Sequence, residues 1–346
     1  MTRVLVTGGA GFIGHHFVNH FLVDTDWEIV VLDKLNYASC GWDRIRDINV
    51  FNPKRVSLLS ADFVNPINQG LAKEIGDVDY IFHLGAETHV LNSIINPEPF
   101  VMSNVAGTMR VLDFARSLSN LKKFFLFSTD EYYGHAPDGI AYKEWDRPNP
   151  TNPYSASKAG GEMLGIAYAN TYGLPVIITN CMNVFGERQH PEKFIPKTIK
   201  HILSGEKVPV HYDPNTNKIG SRSWIHARNV SAAIMFLIEH GKVNDKYNII
   251  GEKELDNLQI AQFIAKVLGK ELNYELIDPN IERPGHDFRY ALDGAKMREL
   301  GWELPISFEK SLEKTIRWGL EKLEWFDINT YTRKNNSLQV SVNSLK

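Results

Sequence analysis

Three groups of residues in this chain have the types and spacing that chemistry requires. The first is Ser128-Thr129-Asp130-Glu131, where a hydroxyl pair and two adjacent acids follow directly on the apolar, aromatic run Phe124-Phe125-Leu126-Phe127. Paired carboxyls can act as general acid and general base if their surroundings push their proton affinities apart. The second is Tyr154 and Lys158, four residues apart and so on one face of a helix. An ammonium there depresses the phenol and makes its phenolate a usable base near neutral pH. The third is Gly8-Gly9-Ala10-Gly11-Phe12-Ile13-Gly14, with Asp33 about 20 residues beyond. Such glycines let a pyrophosphate approach a helix N-terminus, and an acid at that distance takes the adenosine ribose hydroxyls, which favours NAD over NADP. Arg222 and Arg283 add two guanidiniums of the kind that capture a diphosphate bidentately. Taken singly, each group has an ordinary reading as turn, helix surface or solvated cation; their joint occurrence carries the weight.

Those residues need a scaffold, and the hydrophobic pattern supplies one. Arg3 to Thr7 is a β-branched strand running into the glycine turn, after which His15, Phe17, Val18 and Phe21 open a helical period. Further strands are expected at 28–32, ending in Asp33, and at 56–62, 78–84, 122–129 and 175–180, with helices near 67–75, 100–117 and from Pro153 onward. Asp62 at its strand end is placed to meet the adenine amino group, and Gly85-Ala86 lets the backbone run close to the cofactor. Beyond the sixth strand the alternation loosens into loops at 186–194 and 211–222 with short helices, the texture of a substrate lobe. This is an α/β chain with a Rossmann-type, doubly wound parallel sheet and a smaller mixed lobe. The expected division is 1–184 with returning segments near 226–250 for the dinucleotide domain, 185–225 and 251–328 for the lobe, and a polar, disordered tail at 329–346.

Composition narrows the partners. The chain has 346 residues, 43% hydrophobic and 23% charged, with a net charge of -3 and Cys40 and Cys181 as its two cysteines. No basic excess points to nucleic acid or a membrane surface, no apolar run approaches a bilayer span, and no spacing suggests a metal site. A small-molecule substrate and a reducing, cytoplasmic setting are expected.

Together, residues 7–14, the Tyr154–Lys158 pair and Pro153 resemble the extended short-chain dehydrogenase/reductases over roughly residues 2–325. Within them, Ser128-Thr129-Asp130-Glu131-Tyr132-Tyr133-Gly134 is similar to the hallmark of nucleoside-diphosphate-glucose 4,6-dehydratases, with Tyr132 where a valine is usual. Residues 191–196 and 283–290 match the same pattern. The resemblance implies NAD as cofactor and a nucleotide sugar as substrate. Tyr154, with Lys158, would take the proton of the glucose 4-hydroxyl and Thr129 would hold its oxygen. Glu131 would remove the C5 proton and Asp130 would protonate the leaving 6-hydroxyl. It further implies Phe12, Ile13, Asp33, Lys34, Asp62, Phe63, Leu84, Ala86, Ser103, Tyr154 and Lys158 for NAD, beside the turn glycines Gly8, Gly11 and Gly14. For the sugar nucleotide it implies Thr88, Thr129, Asn183, Lys193, Arg222, Asn257, Arg283 and His286. His211 and Ser223 look more like the uridine-linked enzymes of rhamnose synthesis, so UDP-glucose is favoured, with dTDP-glucose as the alternative. A homodimer through the helices at 100–117 and 154–172 is what the superfamily leads one to expect. Rival readings are a 4-epimerase or decarboxylase, with the two acids as bystanders, and a non-catalytic NAD-binding regulator.

Overall fold

The computed structural model describes residues 1–281 and 287–327. Among the described residues thirteen strands run in chain order: β1 Arg3–Thr7, β2 Glu28–Asp33, β3 Val56–Ser60, β4 Tyr80–His83, β5 Lys123–Thr129, β6 Val176–Cys181, β7 Asn183–Phe185, β8 Val208–Asp213, β9 Lys218–Ile219, β10 Ser221–His226, β11 Asp245–Ile249, β12 Glu254–Asp256 and β13 Tyr274–Ile277. Seven of them form one sheet in the order β11-β6-β5-β4-β1-β2-β3, and every pair in it is parallel. Its strands are apolar almost throughout because helices cover both faces. Phe17, Phe21, Ile234 and Leu237 pack on one face, and Val111, Leu112, Ala169 and Leu174 on the other. The direction of chain winding reverses between β1 and β4, and a crevice opens at the C-terminal ends of the strands there.

The turn between β1 and the helix Phe12–Asp24 is as tight as the glycines suggested. Gly8 has φ +69°, and a Cβ on it would lie 2.6 Å from Cα of Gly85. A Cβ on Gly14 would lie 2.3 Å from the Gly8 carbonyl oxygen, so the helix can press onto the turn only without one.

Two expectations change. The helix expected over 100–117 is split into Glu98–Val101, a π-helical turn Met102–Gly107 and Thr108–Arg116. A π turn inserts one residue into the helical register. Here it carries buried Asn104, whose amide donates to the Glu87 carbonyl and to Ser157 Oγ at 2.9 Å each. The helix Pro153–Tyr172 presses against this turn, and a Cβ on Gly161 would stand 2.3 Å from the Asn104 carbonyl oxygen. The second change concerns 211–222, expected to be loop. It holds the end of β8, which pairs antiparallel with β9 and parallel with β13, then β9 itself and the start of β10. The partner β13 lies some 60 residues downstream, beyond the reach of local pattern.

A buried ion pair ties the sheet to the helix behind it. Lys246 Nζ on β11 lies 2.6 Å from Glu162 Oε1, both side chains almost wholly buried. The ammonium also lies 4.2 Å from the Tyr132 ring centroid and 5.0 Å from that of Tyr133. Removing one partner leaves the other charge buried and uncompensated, so Lys246→Met should destabilise the fold by about 3–5 kcal/mol. Adding Glu162→Leu should recover much of that loss; denaturant midpoints of the two variants measure both effects.

Candidate active site

The end of β5 places the two acids. Thr129 closes the strand, and residues Asp130–Tyr133 turn at once into a 3₁₀ helix whose cap is Thr129 Oγ1, accepting the Glu131 N–H at 3.3 Å. Asp130 Oδ1 accepts from Thr129 Oγ1 and from the Glu131 N–H, each at 3.1 Å. Its Oδ2 is buried without a protein partner. Burial, reinforced by the neighbouring Glu131 charge, pushes the Asp130 carboxyl up to about 7. Glu131 is half-buried and is raised as well, by burial first, but donors and cations oppose it: the Asn152 amide, then Arg222 and Lys193. The two adjacent carboxyls therefore face unlike surroundings, one buried with an oxygen left without a partner, the other held by donors from other segments.

Beside them stands the helix Pro153–Tyr172, begun by Pro153 at its first turn and capped by Asn152. Tyr154 is buried and in the same cleft as Thr129, Asp130 and Glu131. Burial pushes its phenol far above the ordinary value, the Glu131 charge adds to this, and a hydrogen bond with Thr129 opposes it. Lys158 lies one turn on, outside the cleft wall, and its Nζ donates to the Phe127 carbonyl at 2.6 Å. Burial lowers that ammonium to about 8. Lys158 thus ties β5 to the helix with one of its three donors, on the helix face that carries Tyr154.

The cleft encloses about 530 Å³. One arm is walled by Gly8, Gly11, Phe12, Ile13, Gly14, Asp33, Lys34, Phe63, Leu84, Ala86 and Ser103. Asp33, buried at the end of β2, accepts the Ala10 N–H at 3.0 Å and the Leu35 N–H at 2.8 Å. These bonds aim its carboxylate at the glycine turn and leave acceptor capacity on both oxygens. Lys34 is paired with Glu87 at 2.6 Å. The Oγ atoms of Ser103 and Ser128 are buried without protein partners on the same wall. A side-chain-free turn at a helix N-terminus, a strand-end carboxylate and orphaned hydroxyls fit a dinucleotide. Asp62 is not on the wall; its carboxylate closes the turn after β3 by accepting the Val64 N–H at 3.0 Å.

The other arm is walled by Thr88, Asn183, Lys193, Arg222 and Asn257. Asn183 comes from β7, Arg222 from β10, Lys193 caps the helix Phe194–Ser204 and Asn257 opens the helix Asn257–Leu268. Arg222 lies near enough to influence Asp130, Glu131 and Asp287, and its guanidinium sits 5.5 Å from the centroid of the Tyr290 ring. Arg283 and His286 lie outside the described residues. Sequence reasoning missed two neighbours of Glu131: Asn152 Nδ2 at 3.3 Å and Tyr290 Oη at 3.5 Å from Oε2. An asparagine before a helix-starting proline is a recognisable cap, so Asn152 could have been singled out; no local signal marks Tyr290.

Fold and site together define an extended short-chain dehydrogenase/reductase: a doubly wound sheet with a dinucleotide cradle, a tyrosine and lysine on one helix and a second lobe over the strand ends. The chain belongs to the GDP-mannose 4,6-dehydratase family, whose model matches residues 5–315. It is 39% identical over 92% of its length to Low-salt glycan biosynthesis protein Agl12 of Haloferax volcanii, covering 98% of that protein. It is 37% identical over 94% of its length to the trifunctional UDP-glucose 4,6-dehydratase/3,5-epimerase/reductase RHM3 of Arabidopsis thaliana, covering 48% of that protein. Among solved structures, the dTDP-glucose 4,6-dehydratase DesIV of Streptomyces venezuelae, with NAD bound, superposes with a TM-score of 0.83 at 36% identity, over 94% of this chain and 99% of that one.

Asp130 makes the site's pH behaviour testable. Because the fold raises this carboxyl, it favours the protonated form, so its contribution to stability is complete at low pH and is lost as pH rises through about 7. Asp130→Asn cannot ionise. Its melting temperature should therefore gain on that of the unmodified protein between about pH 4 and about pH 8, and parallel curves would remove Asp130 from this role.

Proposed function

We propose that this protein is an NAD-dependent nucleoside-diphosphate-glucose 4,6-dehydratase that converts its substrate to the 4-keto-6-deoxy sugar nucleotide and water. The observation that carries this reading is the Asp130–Glu131 pair, held in one turn beside Tyr154 with its two carboxyls in unlike surroundings. In the first step Tyr154 receives the proton of the 4-hydroxyl, its phenolate favoured by the Lys158 ammonium one turn along the helix against the burial that raises the phenol, while Thr129 hydrogen-bonds that oxygen. NAD held in the cradle of Gly8, Gly11 and Asp33 would supply the hydride acceptor at C4 and the hydride donor at C6, so no net oxidant would be consumed. The 4-ketone acidifies the C5 hydrogen, which Glu131 removes as base. Asp130, whose hold on a proton burial strengthens, gives that proton to the departing 6-hydroxyl, and the C6–O bond breaks to release water. A proton returned to C5 completes the product. An epimerase needs neither carboxyl, and a silent regulator has no use for a carboxyl kept protonated near neutral pH.

The segments 185–225 and 251–328 form the nucleotide-sugar lobe in this reading, with Arg222 and Lys193 on the diphosphate side. UDP-glucose is the favoured substrate, supported by His211 in the cleft wall and by Ser223 after Arg222; dTDP-glucose is the alternative. A homodimer fits the apolar side chains of Val101, Met102 and Met163, each more than two-fifths exposed on the two helices concerned. No helix among the described residues is long and apolar enough to cross a membrane. Cys40 and Cys181, both buried, suit a cytoplasmic setting.

Purified protein incubated with UDP-glucose or dTDP-glucose, without added cofactor, should yield a product lighter by one water. A C4 epimer without loss of water would overturn the assignment. Glu131→Gln should cut product formation by about 10²-fold or more while still allowing oxidation at C4, read as a rise in near-ultraviolet nicotinamide absorbance on mixing. Light scattering should give twice 39.3 kDa.

A further inference from the structure

We infer that Asn152 is a positioning residue that holds Glu131 as the base of the elimination and couples it to the helix carrying Tyr154. The inference rests on the dehydratase reading above and assigns a role to a residue outside the acid pair and the Tyr154–Lys158 pair. The two ends of the Asn152 amide have separate partners. Its Oδ1 accepts the Ser155 N–H at 2.9 Å, and Ser155 Oγ accepts the Asn152 N–H at 3.3 Å, which closes a capping box at the head of the helix Pro153–Tyr172. With the oxygen committed to the cap, the orientation of the amide is settled and its NH₂ faces Glu131, Nδ2 lying 3.3 Å from Oε2. An amide N–H can only donate, so this contact favours the ionised carboxylate, the form a base requires.

Every element packed around Glu131 contributes a charged or titratable group. Asp130 comes from its own turn, Tyr154 from the helix, Arg222 from β10 and Lys193 from the head of the helix Phe194–Ser204. Asp287 and Tyr290 come from the segment that follows the nucleotide-sugar lobe's described strands. Arg222 and Lys193 favour the carboxylate and Asp287 opposes it. Asn152 differs from all of these because the same side chain is part of the backbone cap two residues before Tyr154. Its neighbour Thr151 donates to Asp287 Oδ2 at 2.5 Å, so the two residues ahead of Pro153 are fastened on both sides, to Asp287 and to Glu131. The hydroxyl-side base at C4 and the carboxylate at C5 are thereby set from one helix terminus, which fixes their spacing across the sugar ring.

Asn152→Ser tests this because serine retains a capping oxygen but has no amide donor, and Asn152→Asp retains the cap while turning a carboxylate toward Glu131. The measurement is deuterium uptake at C5 of the product in heavy water as a function of pH, with melting temperatures alongside. Without the donor, Glu131 binds its proton more tightly, so the acid limb of the profile should move up by about one pH unit in Asn152→Ser, and further in Asn152→Asp. The rate should be about tenfold lower on the acid side and converge with the unmodified protein at high pH, with the melting temperature unchanged. A profile superimposable on that of the unmodified protein overturns the inference while leaving the dehydratase assignment standing. So does a loss that is uniform with pH and accompanied by a lower melting temperature, since that marks a cap and nothing more. If the unmodified protein releases no water from either substrate, the assignment and the inference fall together.

Discussion

Two carboxyls on consecutive residues cannot share one environment and do opposite work, and the construction around the end of β5 follows from that constraint. Asp130 and Glu131 leave the same strand, yet the 3₁₀ turn buries one side chain with an oxygen left without a partner and points the other toward donors. Burial alone would raise both. The difference comes from what each meets after the turn: Asp130 has only local bonds on one oxygen, while Glu131 faces Asn152 and Lys193, with Arg222 acting on both. The Glu131 charge also raises the proton affinity of Asp130, which sets the acid apart from the base.

The turn is held from behind. Lys158 donates to the Phe127 carbonyl within β5, Asn180 on β6 donates to the Thr129 carbonyl at 3.0 Å, and Glu162 gathers Lys246 and Asn180 beneath the two tyrosines that follow the acids. One helix therefore carries Tyr154 into the cleft and, on successive turns of the same face, the groups that brace the acid pair. Its seat depends on close approach: glycines at 160 and 161 let it lie against the π turn at Met102–Gly107, where buried Asn104 faces Ser157. Moving the helix would disturb oxidation at C4 and elimination at C5 together.

Much of the sheet could be read from residue order, since β1 to β6 are β-branched or aromatic runs bounded by turn residues and separated by helical periods. The glycine turn, Asp33, the Asp130–Glu131 pair and the Tyr154–Lys158 pair share one region of the fold for the same reason: each belongs to a strand end or to the helix beside it. The hairpin within 211–222 was not legible, because β8 is stabilised by β13, far along the chain. Nor was the π turn, whose extra residue answers a packing demand from another helix.

The sequence by itself determined the chemistry available to this protein: which acids stand together, which tyrosine can meet them, where a dinucleotide can lie. Those are properties of residue type at short spacing, and local geometry is enough to express them. Tertiary structure alone decided how the groups differ. That Asp130 is buried with one oxygen left without a partner, that Glu131 meets the Asn152 amide and the Tyr290 hydroxyl, and that Lys158 donates to β5 all follow from contacts between segments distant in sequence. Proton affinity depends on solvent exclusion and on neighbouring charge, and only the folded chain sets either of them.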